Sequence, residues 1–290
     1  MNGLLLINKP KSFTSRDIVN IVSKELSTKK IGHTGTLDPL ATGLLILTIG
    51  KATKVSELLI NDIKEYIVTF KFGIKTDTLD ITGNIVNTDN KIITKEDLLK
   101  AINKFIGTYN QEVPIYSAIK VNGKKLYEYA RKNIEVILPK KEVTIYEIEL
   151  LEYSDEIKIR CLVSKGTYIR SLINDIGEYL NTYATMTSLI RTKQGNFNLE
   201  DSYSLDDIKN KIYKLISLEE YFKNYPRLDI DDILYKKVIN GNKIDNKYNI
   251  VGLVAIYYKN KLLSIYKTEK DYLRPYKMFV NNKINDIMET

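Results

Sequence analysis

Strand-like and helix-like segments are intermixed along this chain without a regular strand, helix, strand repeat, which predicts an α+β fold rather than a doubly wound one. Residues 143–153 and 157–164 follow one another as long, antiparallel-looking stretches, so the sheet is expected to be mixed and mainly antiparallel. Near the end, residues 252–258 and 262–267 form two apolar segments about Lys259-Asn260-Lys261, a hairpin pattern that marks a small β-rich C-terminal unit.

Each element has its own signal. Residues 3–8, Gly-Leu-Leu-Leu-Ile-Asn, are a continuous apolar run of strand length and read as a buried strand. Residues 15–26 read as a helix, with Ile18, Ile21, Val22 and Leu26 at helical spacing behind a Thr14/Ser15 cap. A glycine- and threonine-rich turn then leads into a strand at 44–49 and a short helix near 52–60. In residues 66–72 the side chains of Tyr66, Val68, Phe70 and Phe72 alternate to one face of a strand. Thr94-Lys95-Glu96-Asp97 resembles a capping box, with Asp in place of Glu or Gln, and opens a helix to about Ile106. A second helix is expected at 124–132, strands at 143–153 and 157–164, a helix at 167–180 and a strand at 186–192. Residues 205–222 are polar and helix-like, a bridge between two domains. At 290 residues the chain is long enough for a large domain, 1–222, and a small one, 223–290, since single cores rarely grow beyond about 250–300 residues.

Composition narrows the class. Hydrophobic content of 43% and charge of 28% are those of an ordinary globular protein. No apolar run approaches the roughly 20 residues of a membrane span, and Met1-Asn2-Gly3-Leu4 opens a strand-like segment rather than a signal peptide, so the cytoplasm is the expected location. One cysteine, Cys161, allows no internal disulfide, and one histidine, His33, leaves a zinc site to be built mostly of carboxylates. Cys161 lies in a strand-like segment and reads as a buried core thiol. The chemistry is therefore expected to run on ordinary side chains, without a metal. The net charge of +8 suits a polyanion such as RNA, and +4 of it falls in residues 225–290. Only seven of the 44 cations are Arg, however, and the abundance of Lys, Asn and Ile is also what an AT-rich genome imposes, so charge alone leaves the partner open.

Residues 31–45, Ile-Gly-His-Thr-Gly-Thr-Leu-Asp-Pro-Leu-Ala-Thr-Gly-Leu-Leu, pack three Gly, three Thr and one Pro around a single carboxylate, Asp38, just before a buried strand. A carboxylate on so tightly specified a loop is a candidate for chemistry. An Asp before Pro also serves as a turn residue bonded to nearby backbone amides, so residue type alone leaves both roles open.

This stretch resembles the catalytic motif of the TruB-type tRNA pseudouridine synthases, and four further blocks resemble the same family in the family's order. They are Asn8-Lys9-Pro10 with Thr14-Ser15; Lys64-Glu65-Tyr66 with Thr76-Asp77-Thr78; Pro114 with Tyr116-Ser117-Ala118 and Lys120; and Ser164-Lys165-Gly166-Thr167-Tyr168-Ile169-Arg170. Five blocks spread over residues 2–195 are far more specific than any one of them. The chain departs from the pattern in having Val113-Pro114 where the family has a Pro pair. It also has Ile190-Arg191-Thr192 followed by Gly195-Asn196-Phe197, which lacks one Arg and one Pro.

The resemblance implies a mixed, mainly antiparallel sheet carrying an RNA cleft, a PUA-like RNA-binding appendage at 223–290, and isomerisation of uridine 55 in the T loop of tRNA. It implies Asp38 as the residue that promotes N-glycosidic cleavage, which needs no metal, nucleotide or redox cofactor. A nucleophilic carboxylate must stay ionised where water is excluded, and Arg170 matches the family's arginine paired with it; its planar fork can hold both carboxylate oxygens. Tyr66 matches the tyrosine that stacks on the flipped uracil and is a candidate to assist removal of the C5 proton. His33 is expected to contact the displaced bases, Leu189 to touch the uracil, and Tyr168 to bind substrate. Lys9, Lys120, Lys165 and Lys193, with Lys29-Lys30, are expected phosphate contacts. The expected partner is the T-arm and elbow of tRNA, bound by a monomer that extrudes its target base. A tRNA-folding protein whose modification is incidental is the alternative, and a synthase guided by a separate RNA is a third reading.

Overall fold

The apolar run at the start of the chain is β1 (Gly3–Lys9), and it is buried on both faces. Leu5 and Ile7 enter the main core, whereas Leu4 and Leu6 point the other way into a second cluster shared with the C-terminal unit. The computed structural model describes residues 1–280. The remaining strands of the large domain are β2 (Ile31–His33), β3 (Thr42–Ile49), β4 (Lys64–Phe72), β5 (Ile74–Thr76), β6 (Ile85–Thr88), β7 (Gly107–Glu112), β8 (Lys120–Val121) and β9 (Lys124–Lys125). They continue with β10 (Lys140–Tyr153), β11 (Ile157–Val163), β12 (Ala184–Gln194) and β13 (Phe197–Asn198). Its principal helices are α1 (Ser15–Glu25), α2 (Ser56–Ile60), α3 (Lys95–Phe105), α4 (Leu126–Arg131) and α5 (Ile169–Tyr179).

Nine strands make one sheet, ordered β1-β3-β12-β4-β11-β10-β7, with β2 added to β3 and β13 to β12. Every pairing is antiparallel except β12 with β3, so the sheet is mixed and mainly antiparallel, as expected. The parallel pair sets Arg191 opposite Gly43. At Gly43, with φ +97, an added Cβ would lie 2.4 Å from the Arg191 carbonyl oxygen, so this close approach requires glycine. Helices α1, α3 and α5 bury their apolar stripes on one face of the sheet. Each of the first two starts where the hydroxyl of Thr14 or Thr94 accepts the N–H three residues on, at 3.1 Å. At α1 the Asp17 carboxylate returns the bond to the Thr14 N–H at 2.8 Å, completing a capping box with Asp in the acidic position.

Residues 205–222 are not one bridging helix. They form two short ones, α6 (Leu205–Lys209) and α7 (Leu218–Tyr221), because the chain between them runs along the sheet edge. There Leu4 N–H donates to the Ile216 carbonyl at 2.8 Å and Ile216 N–H to the Leu4 carbonyl at 2.9 Å, which covers the open side of β1.

Beyond them, β14 (Arg227–Asp229), helix α8 (Asp232–Ile239), β15 (Ile244–Asp245), β16 (Leu253–Tyr258), β17 (Lys261–Glu269) and β18 (Tyr272–Met278) build a five-stranded sheet, ordered β14-β16-β17-β18-β15. The expected hairpin is β16–β17, closed by Lys259 and Asn260 at φ 47 and 63, the two left-handed residues that a tight hairpin of this twist requires. Ala255 and Tyr257 face the large domain, while Val254 and Ile256 face α8. The last ten residues of the expected 223–290 unit lie outside the described residues. Among the described residues no helix is long and apolar enough to cross a membrane.

Candidate active site

The loop between β2 and β3 is fixed from both sides before its carboxylate is placed. From α1, the Ser15 hydroxyl accepts the Leu37 N–H at 2.9 Å and donates to the Leu37 carbonyl at 3.2 Å. From the turn after β1, the Ser12 N–H donates to the Pro39 carbonyl at 2.8 Å. From the sheet, the buried Arg191 donates through Nε to the Leu44 carbonyl at 2.6 Å and through Nη2 to the Gly35 carbonyl at 3.2 Å. Gln194, also buried, donates to the Thr34 hydroxyl at 2.9 Å and to the Leu59 carbonyl at 2.8 Å. Asp38 therefore stands on a rigid loop.

Its carboxylate meets Arg170. Arg170 Nε lies 3.0 Å from Asp38 Oδ2, with the guanidinium side chain 6% exposed and the carboxylate 36% exposed. The bond is single, not the two-oxygen fork expected, because the two ends of the guanidinium are engaged elsewhere. Nη1 donates to the Thr78 carbonyl at 2.8 Å and Nη2 to the Tyr116 carbonyl at 2.9 Å. A second acid, Asp80, 7% exposed, places Oδ2 4.0 Å from the same Nε. Its Oδ1 accepts the Thr82 N–H at 3.0 Å and the Thr78 hydroxyl at 3.1 Å, which fixes the carboxylate's orientation. Arg170 is thus a charged bridge between a buried anion and a partly open one, and the open one can reach a ligand.

Tyr66 and Leu189 belong to the same buried apolar cluster as Leu37 and Leu40, the loop residues that flank Asp38. Across the sheet Tyr66 pairs with Arg191 and Val68 with Leu189. His33 ends β2, and its Nδ1 accepts the Gly35 N–H at 3.4 Å. Burial lowers the pKa of its imidazole, and the Arg191 and Arg16 charges push the same way, so His33 is kept neutral near neutral pH. Tyr168 precedes α5, and burial holds its phenol above its usual value.

The lysines divide. Lys120 and Lys165 are exposed, Lys165 resting its ammonium on Asn61 Oδ1 at 2.9 Å, and Lys193 is half-buried beside β13. Lys29 and Lys30 are exposed. Lys9, expected as a phosphate contact, is fully buried and donates to the Pro10 and Phe13 carbonyls at 3.0 and 2.7 Å. It holds the turn after β1, and no part of it lies on the surface. Burial lowers its pKa to about 8, against the pull of Asp38.

Sequence reasoning missed Asp80, Ser15 in its pinning role, Gln194, and Gln111, which sits under Tyr168. Ser15 had a signal: of two adjacent cap-forming residues, Thr14 and Ser15, only one can cap α1. Gln111 had one too, as an amide at a position whose strand alternation points inward, whereas Gln194 is turned inward by a register shift between Arg191 and Lys193 that no alternation records.

Over 97% of its length the chain shares its fold with two solved structures. One is from an H/ACA RNP bound to a substrate RNA containing 2′-deoxyuridine, with TM-score 0.70 and 23% identity over 97% of this chain and 86% of that one. The other is from a Cbf5-Nop10-Gar1 complex, with TM-score 0.72 and 25% identity over 97% of this chain and 85% of that one. The chain belongs to the TruB family of pseudouridylate synthases: the family's N-terminal domain model matches residues 23–169, and the tRNA pseudouridylate synthase B C-terminal domain model matches residues 170–229. Similar relatives include the tRNA pseudouridine synthase B of Caldanaerobacter subterraneus subsp. tengcongensis, 40% identical over 96% of this chain and 99% of that protein. That of Fusobacterium nucleatum is 43% identical over 96% of this chain and all of that protein.

Proposed function

We propose that this protein is a tRNA pseudouridine synthase, an isomerase that converts uridine 55 of the T loop to pseudouridine, working in the cytoplasm as a monomer on the T-arm and elbow. The observation that carries this reading is Asp38: a carboxylate bonded to a buried guanidinium, yet 36% exposed, on a loop whose Leu37 and Leu40 are anchored in the core. The target uridine is flipped out of its stack at a cost of a few kcal/mol, offset by stacking on Tyr66 and contact with Leu189. Asp38 promotes cleavage of the bond between N1 and C1′, the uracil turns in place, and C5 bonds to C1′. The C5 proton is lost and N1 gains one, so the product is an isomer of the substrate. No cofactor enters the reaction.

His33 contacts the displaced bases as a neutral ring, and Tyr168 lines the substrate side of α5. Lys120, Lys165 and Lys193 meet phosphates. The small unit, 223–290, adds positive surface for the RNA, which supports binding without reading sequence. Chemical mapping of pseudouridine in an unmodified tRNA transcript, incubated with purified wild-type protein or with Asp38→Ala, tests the reading. Modification at position 55 by the wild type alone is the expected result. Equal modification by both proteins would remove Asp38 from the reaction, and none by either would sink the assignment.

A further inference from the structure

The first turn of α5 carries Arg170, yet Tyr168, the residue that begins this helix, makes no side-chain cap of its own. Its partner comes from β7. Gln111, 1% exposed, accepts the Tyr168 N–H on Oε1 at 2.8 Å and donates from Nε2 to the Tyr168 carbonyl at 3.1 Å. One amide therefore grips both backbone groups of a residue two positions before Arg170. The same Nε2 donates its other hydrogen to the Tyr109 hydroxyl at 2.7 Å, and that hydroxyl donates to Asp175 Oδ2 at 3.0 Å, further along the helix. Next to it, the Ser171 hydroxyl donates to the Glu112 carbonyl at 2.9 Å. The chain leaving β7 then places the Tyr116 carbonyl on Arg170 Nη2.

A buried amide is a poor choice for filling space, since its polar atoms cost free energy unless every one is bonded. Here both donors and the acceptor are bonded, and the backbone they hold is the one that aims Arg170. The apolar contacts of Leu172, Ile173 and Ile176 keep α5 on the sheet without them. What the amide adds is angular: it fixes the direction from which the guanidinium approaches Asp38.

We propose that Gln111 is a positioning residue for the isomerisation, clasping the Tyr168 backbone so that Arg170 holds Asp38 at the angle the reaction needs. The inference rests on the reading of Asp38 and Arg170 as the reacting pair. Its size follows from geometry, since displacements of about 1 Å at a reacting group cost up to about 100-fold in rate.

The test compares Gln111→Met, which keeps shape but loses all three bonds, with Gln111→Glu, which keeps the acceptor for the Tyr168 N–H. Single-turnover rates on an unmodified tRNA transcript are measured beside the tRNA Kd and the thermal melting temperature. The Met variant is expected to melt a few degrees below wild type, since it leaves the Tyr168 N–H without its partner, and to bind tRNA within about threefold, while its rate, measured well below its melting temperature, falls at least about tenfold; the Glu variant recovers part of that loss. A Met variant with a wild-type rate, or one whose rate falls only as far as its binding or folding does, overturns the proposal. Should Gln111→Met fail to fold, Gln111→Asn carries the test, because its amide is one methylene shorter and loses its reach to the Tyr168 N–H and carbonyl while the site stays polar. A rate lowered about threefold with unchanged binding supports the clasp, and an unchanged rate overturns it. Asp38→Asn run alongside separates the two ideas. Activity in that variant defeats the aspartate reading and the clasp with it, whereas an inactive Asp38→Asn beside a fully active Gln111→Met defeats the clasp alone.

Discussion

Arg170 is held by two backbone carbonyls and set between two carboxylates, and only one of those carboxylates is open to a ligand. Asp80 is the closed one. Asp80→Ala removes the inner anion while leaving the surface untouched, so the guanidinium loses part of what orients it. The expected result is a rate on tRNA lower by about 10- to 100-fold with tRNA binding retained, measured by single turnover and filter binding. Ser15 acts on the other partner. Ser15→Ala leaves the Leu37 N–H and carbonyl without their buried hydroxyl, at a cost of about 1–3 kcal/mol, and slackens the loop one residue from Asp38. Urea unfolding is expected to show that loss, and the modification assay a fall in rate beside it. Of these residues Asp38 and Arg170 were legible in sequence because the resemblance covers both. Asp80 was not, because an Asp in a Thr-rich turn looks the same whether it faces solvent or a guanidinium.

The elements owe their positions to buried polar groups as much as to apolar stripes. On α5, burial raises the Asp175 carboxyl to about 6 from an ordinary 3.8, with Glu178 and Glu112 adding to the effect and the Tyr109 hydroxyl opposing it. The folded protein therefore keeps a proton between about pH 4 and 6 that the unfolded chain releases. Stability from this group falls as pH rises through that window and stays lower above it. Asp175→Asn keeps an oxygen for Tyr109 and removes the charge. Its melting temperature relative to wild type is expected to be higher at pH 7.5 than at pH 4.5, as read by circular dichroism at both values. Helix starts and strand alternation were visible in sequence, since capping hydroxyls and period-two apolar patterns are local. The two-helix course of residues 205–222 was not, because the segment's extended stretch exists to satisfy the edge of β1, some 200 residues away in the chain.

At the scale of the molecule, the two sheets share a core. Leu4, Leu6, Leu44 and Ile46 on the back of the large sheet share one cluster with Ala255, Tyr257, Leu262 and Ile265 of the small one and with Phe279 just after it. The two sheets are thereby expected to be coupled in stability. Ile265→Ala, far from Asp38, is expected to destabilise the whole chain by about 2–5 kcal/mol in a single urea transition followed by both near- and far-ultraviolet signals. Two separate transitions would mean that the shared cluster does not couple them. The net charge of +8 adds a long-range term, so binding to tRNA is expected to weaken steeply with salt.

By itself the sequence determined the fold class, most strands and helices, the family, and the loop that bears Asp38, because each is written in local periodicity or in contiguous motifs. Tertiary structure alone decided which polar side chains are buried and what they hold. It turned Lys9 from a surface cation into an internal strut, gave Arg170 one oxygen of Asp38 instead of two, and set Gln111, Asp80 and Arg191 behind the site. The physical reason is that a buried charge or amide takes its role from partners brought near only when distant strands pair, and no spacing along the chain records those partners.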